Sequence, residues 1–349
     1  MKIEKIFSQQ YSAMELQYIK MTNRNGAQVV LCNVGAGIVS IEVPDRNGNL
    51  VDVALGYKNP ADYFGDAPCM GKTPGRCANR IAYARFTLNE KEYHLDANIN
   101  GIHHLHGGAN GFANQLWETY IEEDSVSFQH ISPDGAQGYP ASIEAKVTYR
   151  WNEDNQLIIQ FHAVSSDDTV VNLTNHVYFN LAGENSGSVL EHTLQLNASQ
   201  WLPANNELIV TGEIADVAET PMDFRIAKPI GRDIYSDFDA LKKGKGYDSC
   251  WVINGWSAGK LCPVAILSDE KTGITLEVFS TQPGVQIYTG NWLSGSPESK
   301  SGRSYNDYDG IAIECQAFPD SPNKPHFPSV VLRKNDCYEQ TIIFQFQNS

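Results

Sequence analysis

The chain is short of positive charge. Its 349 residues carry 26 Lys and Arg against 41 Asp and Glu, a formal net charge of −15 at pH 7. A charge of that sign is repelled by phosphate backbones and anionic headgroups. Broad electrostatic binding to nucleic acid or to a membrane is therefore excluded, and the acidity reads as a solubility device. Long apolar runs are missing as well. The N-terminus, Met1-Lys2-Ile3-Glu4-Lys5-Ile6-Phe7-Ser8, lacks a secretory h-region, and no later stretch is apolar enough for a bilayer. The cytoplasm is the default expectation, although a chain whose signal had been removed would read the same. Seven cysteines (Cys32, Cys69, Cys77, Cys250, Cys262, Cys315 and Cys337) include no Cys-x-x-Cys pair. A zinc ribbon or dithiol redox motif is thus unsupported, and free thiols in a reducing compartment account for them. No P-loop is present, so nucleotide hydrolysis has no support. Serine-hydrolase chemistry is not expected either. Two glycosylation sequons, Asn172-Leu-Thr and Asn197-Ala-Ser, matter only on a secretory route.

What is present is alternation. In Val171-Asn-Leu-Thr-Asn-His-Val-Tyr-Phe-Asn-Leu181, Val171, Leu173, Val177, Phe179 and Leu181 are apolar, while Asn172, Thr174, His176, Tyr178 and Asn180 are polar. Period two predicts one strand with an apolar face on a core and a polar face turned outward. That polar face holds no Lys or Glu. It holds amides, hydroxyls and an imidazole, which suit hydrogen bonding to sugar hydroxyls.

Similar alternations recur at Val29–Cys32, Ile38–Val43, Val51–Leu55, Val126–Phe128, Ser142–Tyr149, Leu157–Val164, Trp251–Ile253, Val264–Leu267 and Glu339–Phe346. Asn47-Gly48 is a hairpin turn signal, and Arg85–Leu88 with Glu92–Leu95 reads as a hairpin. The stretch Asp233–Lys245 is the best place for a short helix. No repeat or linker divides the chain, so residues 1–349 read as one all-β domain with long loops and few short helices.

Two later strands carry chemistry. In Gln282–Trp292, Val285 and Ile287 take one face, and Gln286 and Tyr288 the other. In Ile311–Phe318, Ile311, Ile313 and Cys315 share a face, which leaves Glu314 opposite between Ala312 and Gln316. A carboxylate in that setting is partly buried, and burial raises its pKa. His176 and Glu314 are the natural acid–base pair. Asp248, His106 and Arg80 are the next candidates, from loops, and the Pro- and Gly-rich loop over residues 60–80 can bring Asn79 and Arg80 over a site. His103, His104 and His106 fall within four positions, yet no Cys or carboxylate nearby completes a ligand set, so no metal site is read there. Glu314 with Asp248 also leaves a two-carboxylate glycosidase open.

In order along the chain, these residues resemble the aldose 1-epimerase (galactose mutarotase) family. The matches are Asn33-Val-Gly-Ala, Val43-Pro-Asp-Arg-Asn-Gly, Ala54-Leu-Gly-Tyr, Gly75-Arg-Cys-Ala-Asn-Arg-Ile81, His104-Leu-His-Gly-Gly108, Asn172–Leu181, Thr281–Asn291, Glu314-Cys-Gln and Phe318-Pro-Asp-Ser-Pro-Asn323. The resemblance implies a large mutarotase-type β-sandwich (supersandwich) with an open sugar cleft. It implies interconversion of the α and β anomers of a free aldohexose, with neither cofactor nor metal. By that analogy Glu314 is the general base at the C1 hydroxyl and His176 the general acid at the ring oxygen. Asn79, Arg80, His106, Asp248 and Gln286 bind the sugar, and Tyr178 joins them because it shares the His176 face. A monomer or weak homodimer is expected. The sequence departs from the family pattern at Cys77, His103, Val177 and Ser249-Cys250-Trp251, which bears on sugar preference more than on the reaction. Rival readings are a sugar sensor without turnover and a phosphohexose epimerase. Lys72, Arg76 and Lys324 would serve the phosphate in the latter.

Overall fold

The computed structural model describes residues 1–348. Strands dominate, in three principal sheets of five, nine and six strands. Helix is confined to Asp239–Gly244 and a few 3-10 turns. That α-helix falls inside the stretch expected to hold one.

The five-stranded sheet is a meander in chain order: Lys2–Tyr11, Met14–Thr22, Gln28–Cys32, Gly37–Pro44 and Leu50–Asp52. Its last turn contains Asn47-Gly48, with Gly48 at φ 81°, the left-handed conformation that glycine adopts without a Cβ clash. The nine-stranded sheet is centred on three long antiparallel neighbours, Ile143–Trp151, Gln156–Ser165 and Cys337–Asn348. The six-stranded sheet runs Tyr178–Phe179, Ile311–Gln316, Gly284–Tyr288, Asp248–Val252, Gln200–Leu202 and Ala215–Asp216. Alternate residues from all three sheets meet in one buried cluster: Val29, Leu31 and Ile41 from the first, Val147, Ile159 and Phe344 from the second, and Val285, Ile287, Ile313 and Cys315 from the third. Sheets sharing an interior in this way form a sandwich. Each such side chain contributes about 1.5–3 kcal/mol by leaving water.

Two expectations need correcting. Residues 171–181 are not one strand. Only Thr169–Val170 and Tyr178–Phe179 pair as strands, and the chain between them is irregular. The apolar half of the alternation does enter the core. The polar half does not face bulk water, because Asn172, Thr174, His176, Tyr178 and Asn180 are all buried, as is Asn175, which breaks the alternation. An irregular buried segment must satisfy its neighbours' backbone groups with side chains, and these residues do so. Thr174 Oγ1 donates to Cys315 O at 2.7 Å, Asn175 Nδ2 to Gly71 O at 2.9 Å, and Asn180 Nδ2 to Gly187 O and Asp309 O. Buried Asn172 is also closed to glycosylation in the folded chain.

The six-stranded sheet sets the stage for the site. Its even-numbered residues Gln286, Tyr288, Ala312 and Glu314 lie on the face away from Val285, Ile287 and Ile313. Gln286 stands opposite Glu314, Tyr288 and Tyr178 both stand opposite Ala312, and Asp248 stands opposite Tyr288. Continuing the Tyr178–Ala312 register back by two residues brings His176 beside Glu314.

Candidate active site

A cavity of ≈ 230 Å³ opens on that face, a volume for a small molecule rather than a polymer. Its floor holds His176 and Glu314, which are 4% and 2% exposed. His176 Nε2 lies 3.4 Å from Glu314 Oε1. His176 Nδ1 and Glu314 Oε2 are buried with no protein partner. Buried polar atoms are rarely left unserved, so a site that leaves two on adjacent residues is prepared for a guest.

Asn79, Arg80, His106, Tyr178 and Asp248 also line the cavity. Arg80 sits in a short strand, Arg80–Ile81, paired with His104–Leu105, and that pairing delivers His106 beside Asn79. The Asn79 N–H donates to His106 Nδ1 at 3.2 Å, and the Asn79 carbonyl accepts the His106 N–H at 3.1 Å. His106 Nδ1 is therefore an acceptor, so in the neutral ring Nε2 carries the hydrogen. Its ring packs edge-on to His176, with centroids 5.2 Å apart. Arg80 Nη2 approaches Asp248 Oδ2 at 3.6 Å. Gln286 does not line the cavity. Its Nε2 donates to Asp248 Oδ1 at 2.6 Å, so it orients Asp248 from behind, and its Oε1 is a third buried atom without a partner. The Tyr178 hydroxyl donates to Pro68 O at 2.9 Å, and its ring packs at a tilt against His176, with centroids 5.0 Å apart.

Burial sets the protonation states. It pushes Glu314 well above the ordinary carboxylate range; the Asp248 charge adds to this and Arg80 opposes it. Burial lowers His176 to about 4, with Lys72 acting in the same direction. His106 is driven well down by burial and by the neighbouring His176 and Arg80. Burial therefore favours a proton on the carboxyl and none on the imidazole of the Glu314–His176 pair. Moving it to the imidazole gives the carboxylate–imidazolium form of the same pair.

By distance alone His106, His176 and Glu314 could gather round a metal ion. The donor set does not favour it, because the Asn79 N–H occupies His106 Nδ1 and leaves Nε2 protonated. The three clustered histidines diverge. His104 bonds Asp96 O and Tyr139 OH, and His103 takes the Tyr83 N–H; only His106 reaches the cavity. The cations that would serve a phosphohexose are engaged elsewhere. Lys72 pairs with Asp66, Lys324 with Asp320, and Arg76 is buried on Ser132, Pro133 and Pro140. A Gly-x-Ser-x-Gly spacing does occur, at Gly255–Gly259. It lies in an exposed connection between strands with no helix after it, and so is not the strained strand-to-helix elbow of a serine hydrolase.

The cavity also contains residues not foreseen from sequence. Tyr288 could have been found, since it shares the Gln286 face two positions on. Pro68, Leu208 and the 63% exposed Trp292 gave no periodic signal. None of the departures from the family pattern, at residues 77, 103, 177 and 249–251, lines the cavity.

The aldose 1-epimerase family model matches residues 17–345. A galactose mutarotase of Bos taurus is 40% identical over 319 residues, 91% of each chain. The aldose 1-epimerase of Escherichia coli K12 is 37% identical over 332 residues, 94% of each. Among solved structures, an aldose epimerase homologue from C. elegans superposes with a TM-score of 0.87 at 32% identity, covering 95% of this chain and 99% of that one. The ordered motifs, the sandwich and these relatives agree: the chain belongs to the aldose 1-epimerase family.

Proposed function

We propose that this protein is an aldose 1-epimerase that interconverts the α and β anomers of free aldoses such as galactose or glucose. The observation that carries the reading is the His176–Glu314 pair, 3.4 Å apart on the floor of the cavity. Ring opening removes a proton from the C1 hydroxyl and adds one to the ring oxygen. With the pair as carboxylate and imidazolium, Glu314 takes the first proton and His176 gives the second. The pair is then carboxylic acid and neutral imidazole, which is the form burial favours. Rotation about C1–C2 presents the other carbonyl face, and reclosure runs the same transfers backwards. The pair's proton count is unchanged over the cycle.

The rest of the site serves charge and fit. His106 Nε2–H and the Arg80 guanidinium are donors for the oxyanion that develops as the proton leaves. Asp248, held by Gln286 and Arg80, accepts from sugar hydroxyls. The substrate is a free monosaccharide, an aldohexose in this reading, and the working unit is residues 1–349 as a monomer or weak homodimer in the cytoplasm. Among the described residues, no helix is long and apolar enough to cross a membrane.

The test is the approach of fresh α-D-galactose and α-D-glucose to anomeric equilibrium, followed by polarimetry against a buffer blank. The native chain accelerates it; Glu314→Gln and His176→Asn do not. A native chain that matches the blank on a panel of aldoses while still binding one would overturn the reading in favour of a sugar sensor.

A further inference from the structure

Directly beneath the site lies an ion pair that the reaction itself does not use. The Lys72 and Asp66 side chains are both 0% exposed and in direct contact. Removing two charges from water is unfavourable unless their geometry is excellent and their remaining valences are filled. Here they are largely filled, although Asp66 Oδ1 meets only the ammonium and accepts no hydrogen bond. Lys72 Nζ also donates to Tyr63 O at 2.6 Å and Asn114 Oδ1 at 3.0 Å. Asp66 Oδ2 accepts from Tyr57 OH at 2.9 Å and from the Met70 N–H at 2.8 Å.

The pair closes the loop between its two members. The middle of that loop, Ala67 and Pro68, forms a wall of the cavity. Its far end grips His176 by both backbone groups: the Gly71 N–H donates to His176 O at 3.0 Å, and the His176 N–H donates to Lys72 O at 2.8 Å. Pro68 O accepts the Tyr178 hydroxyl. The close fit continues at Gly71, at φ 70°, where a Cβ would lie 2.0 Å from Ile38 O. His176 therefore has no strand partner of its own; the loop takes that place.

We propose that Lys72 and Asp66 are positioning residues: their buried pair locks the 66–72 loop, and through it the placement of His176. The proposal rests on the epimerase reading above. Around His176 the charged and titratable neighbours are Glu314 and Tyr288 from the sheet, Tyr178 on its own segment, His106 from its loop, and Lys72 from the 66–72 loop. Arg80 and Asp248 stand one layer further out. Of the two cations, Lys72 is the one whose backbone is bonded to His176, and its charge disfavours the imidazolium.

The experiment compares the full-length native chain with Lys72→Met, with the neutral pair Asp66→Asn/Lys72→Met, and with Asn114→Ala, which removes one of the ammonium's anchors while leaving the pair. Circular dichroism and thermal melts establish folding. Lys72→Met is expected to lower kcat by about tenfold or more with little change in KM, as loss of alignment does. The acid limb of the kcat/KM profile should move up by about half a pH unit, because a cation has been removed. The neutral pair should recover melting temperature but not kcat or the limb, and Asn114→Ala should lower kcat several-fold. A folded neutral pair with native kcat and an unmoved acid limb overturns the proposal, because the ion pair would then be scaffold only. Should Lys72→Met and the neutral pair fail to fold, Asn114→Ala decides: native kcat and an unmoved limb in that variant also overturn it. NMR titration of the His176 ring in native and variant chains separates this from the parent reading. A native chain inactive on every aldose whose His176 pKa still rises in Lys72→Met sinks the epimerase and leaves the positioning role standing. An unmoved His176 pKa sinks the latter.

Discussion

Ile311–Gln316 and residues 171–181 alternate in the same way and fold differently. The first is a true strand, buried along its whole length and paired on both sides. The second is irregular for most of its length, and its side chains donate to backbone carbonyls of the segments around it. What separates them in sequence is the chemistry of the polar half. Glu314 is one charged group on a strand with backbone partners. Asn172, Thr174, Asn175 and Asn180 are short amides and a hydroxyl, the residues that hydrogen-bond to backbone in place of a ladder. Period two reports which side chains face the same way; it does not report who satisfies the main chain.

If that contrast is right, the two segments break in opposite ways. The largest effect is expected from Glu314→Gln: kcat falls by about 10²–10⁴-fold, the range of general acid–base contributions, while stability at neutral pH rises. The native carboxyl binds its proton more tightly than the unfolded chain does, so its contribution to stability is full below 4.5 and fades as pH climbs towards the raised folded value. Melts of both chains from pH 4 to 8 should show the gap opening upward. Asn180→Ala should do the converse. Its side chain serves Gly187 O, Asp309 O, the Ala182 N–H and Ser186 Oγ, so unfolding free energy should drop by about 2–4 kcal/mol by urea titration, with kcat within a few-fold of native.

A third measurement sharpens the comparison within the site. With one proton on the His176–Glu314 pair as the active form, the acid limb of kcat/KM belongs near 4, not near 6.5, and the basic limb follows Glu314. For His176 the stability sign is opposite to that of Glu314. Its neutral burial favours the native state above 6.5 and is lost as pH falls towards 4, so His176→Asn should gain on the native chain over that window in acid melts. The smallest effect is Tyr178→Phe, which removes one bond to Pro68 O: about 1 kcal/mol of stability and a small change in kcat.

The sheets were legible wherever apolar residues alternate between turn signals, and Glu314, Gln286 and His176 were legible from that alternation; Asp248, read as a loop residue, opens the strand Asp248–Val252. Ile274–Ser280 alternates too and was passed over. Lys2–Tyr11 and Met14–Thr22 were not legible: the first is largely exposed along its length, and edge strands show little apolar pattern. In the site, His106, Asn79 and Arg80 came from loops and ordered motifs rather than from any periodicity, and Arg80 lies in the short strand Arg80–Ile81. Pro68, Leu208 and Trp292 come from loops whose paths only the tertiary structure fixes. Gln286 stands on the Glu314 face, as its alternation indicates, and its Nε2 donates to Asp248.

The cysteines have a use beyond redox inference. Six are buried and Cys337 alone is exposed. They are spread from Cys32 in the five-stranded sheet, through Cys69 in the 66–72 loop, to Cys315 beside Glu314. A thiol reagent applied to the intact protein would tag one position at once and the other six only as their surroundings open. The chain thus carries its own set of clocks, one of them in the loop that holds His176, for timing which part of the sandwich loosens first.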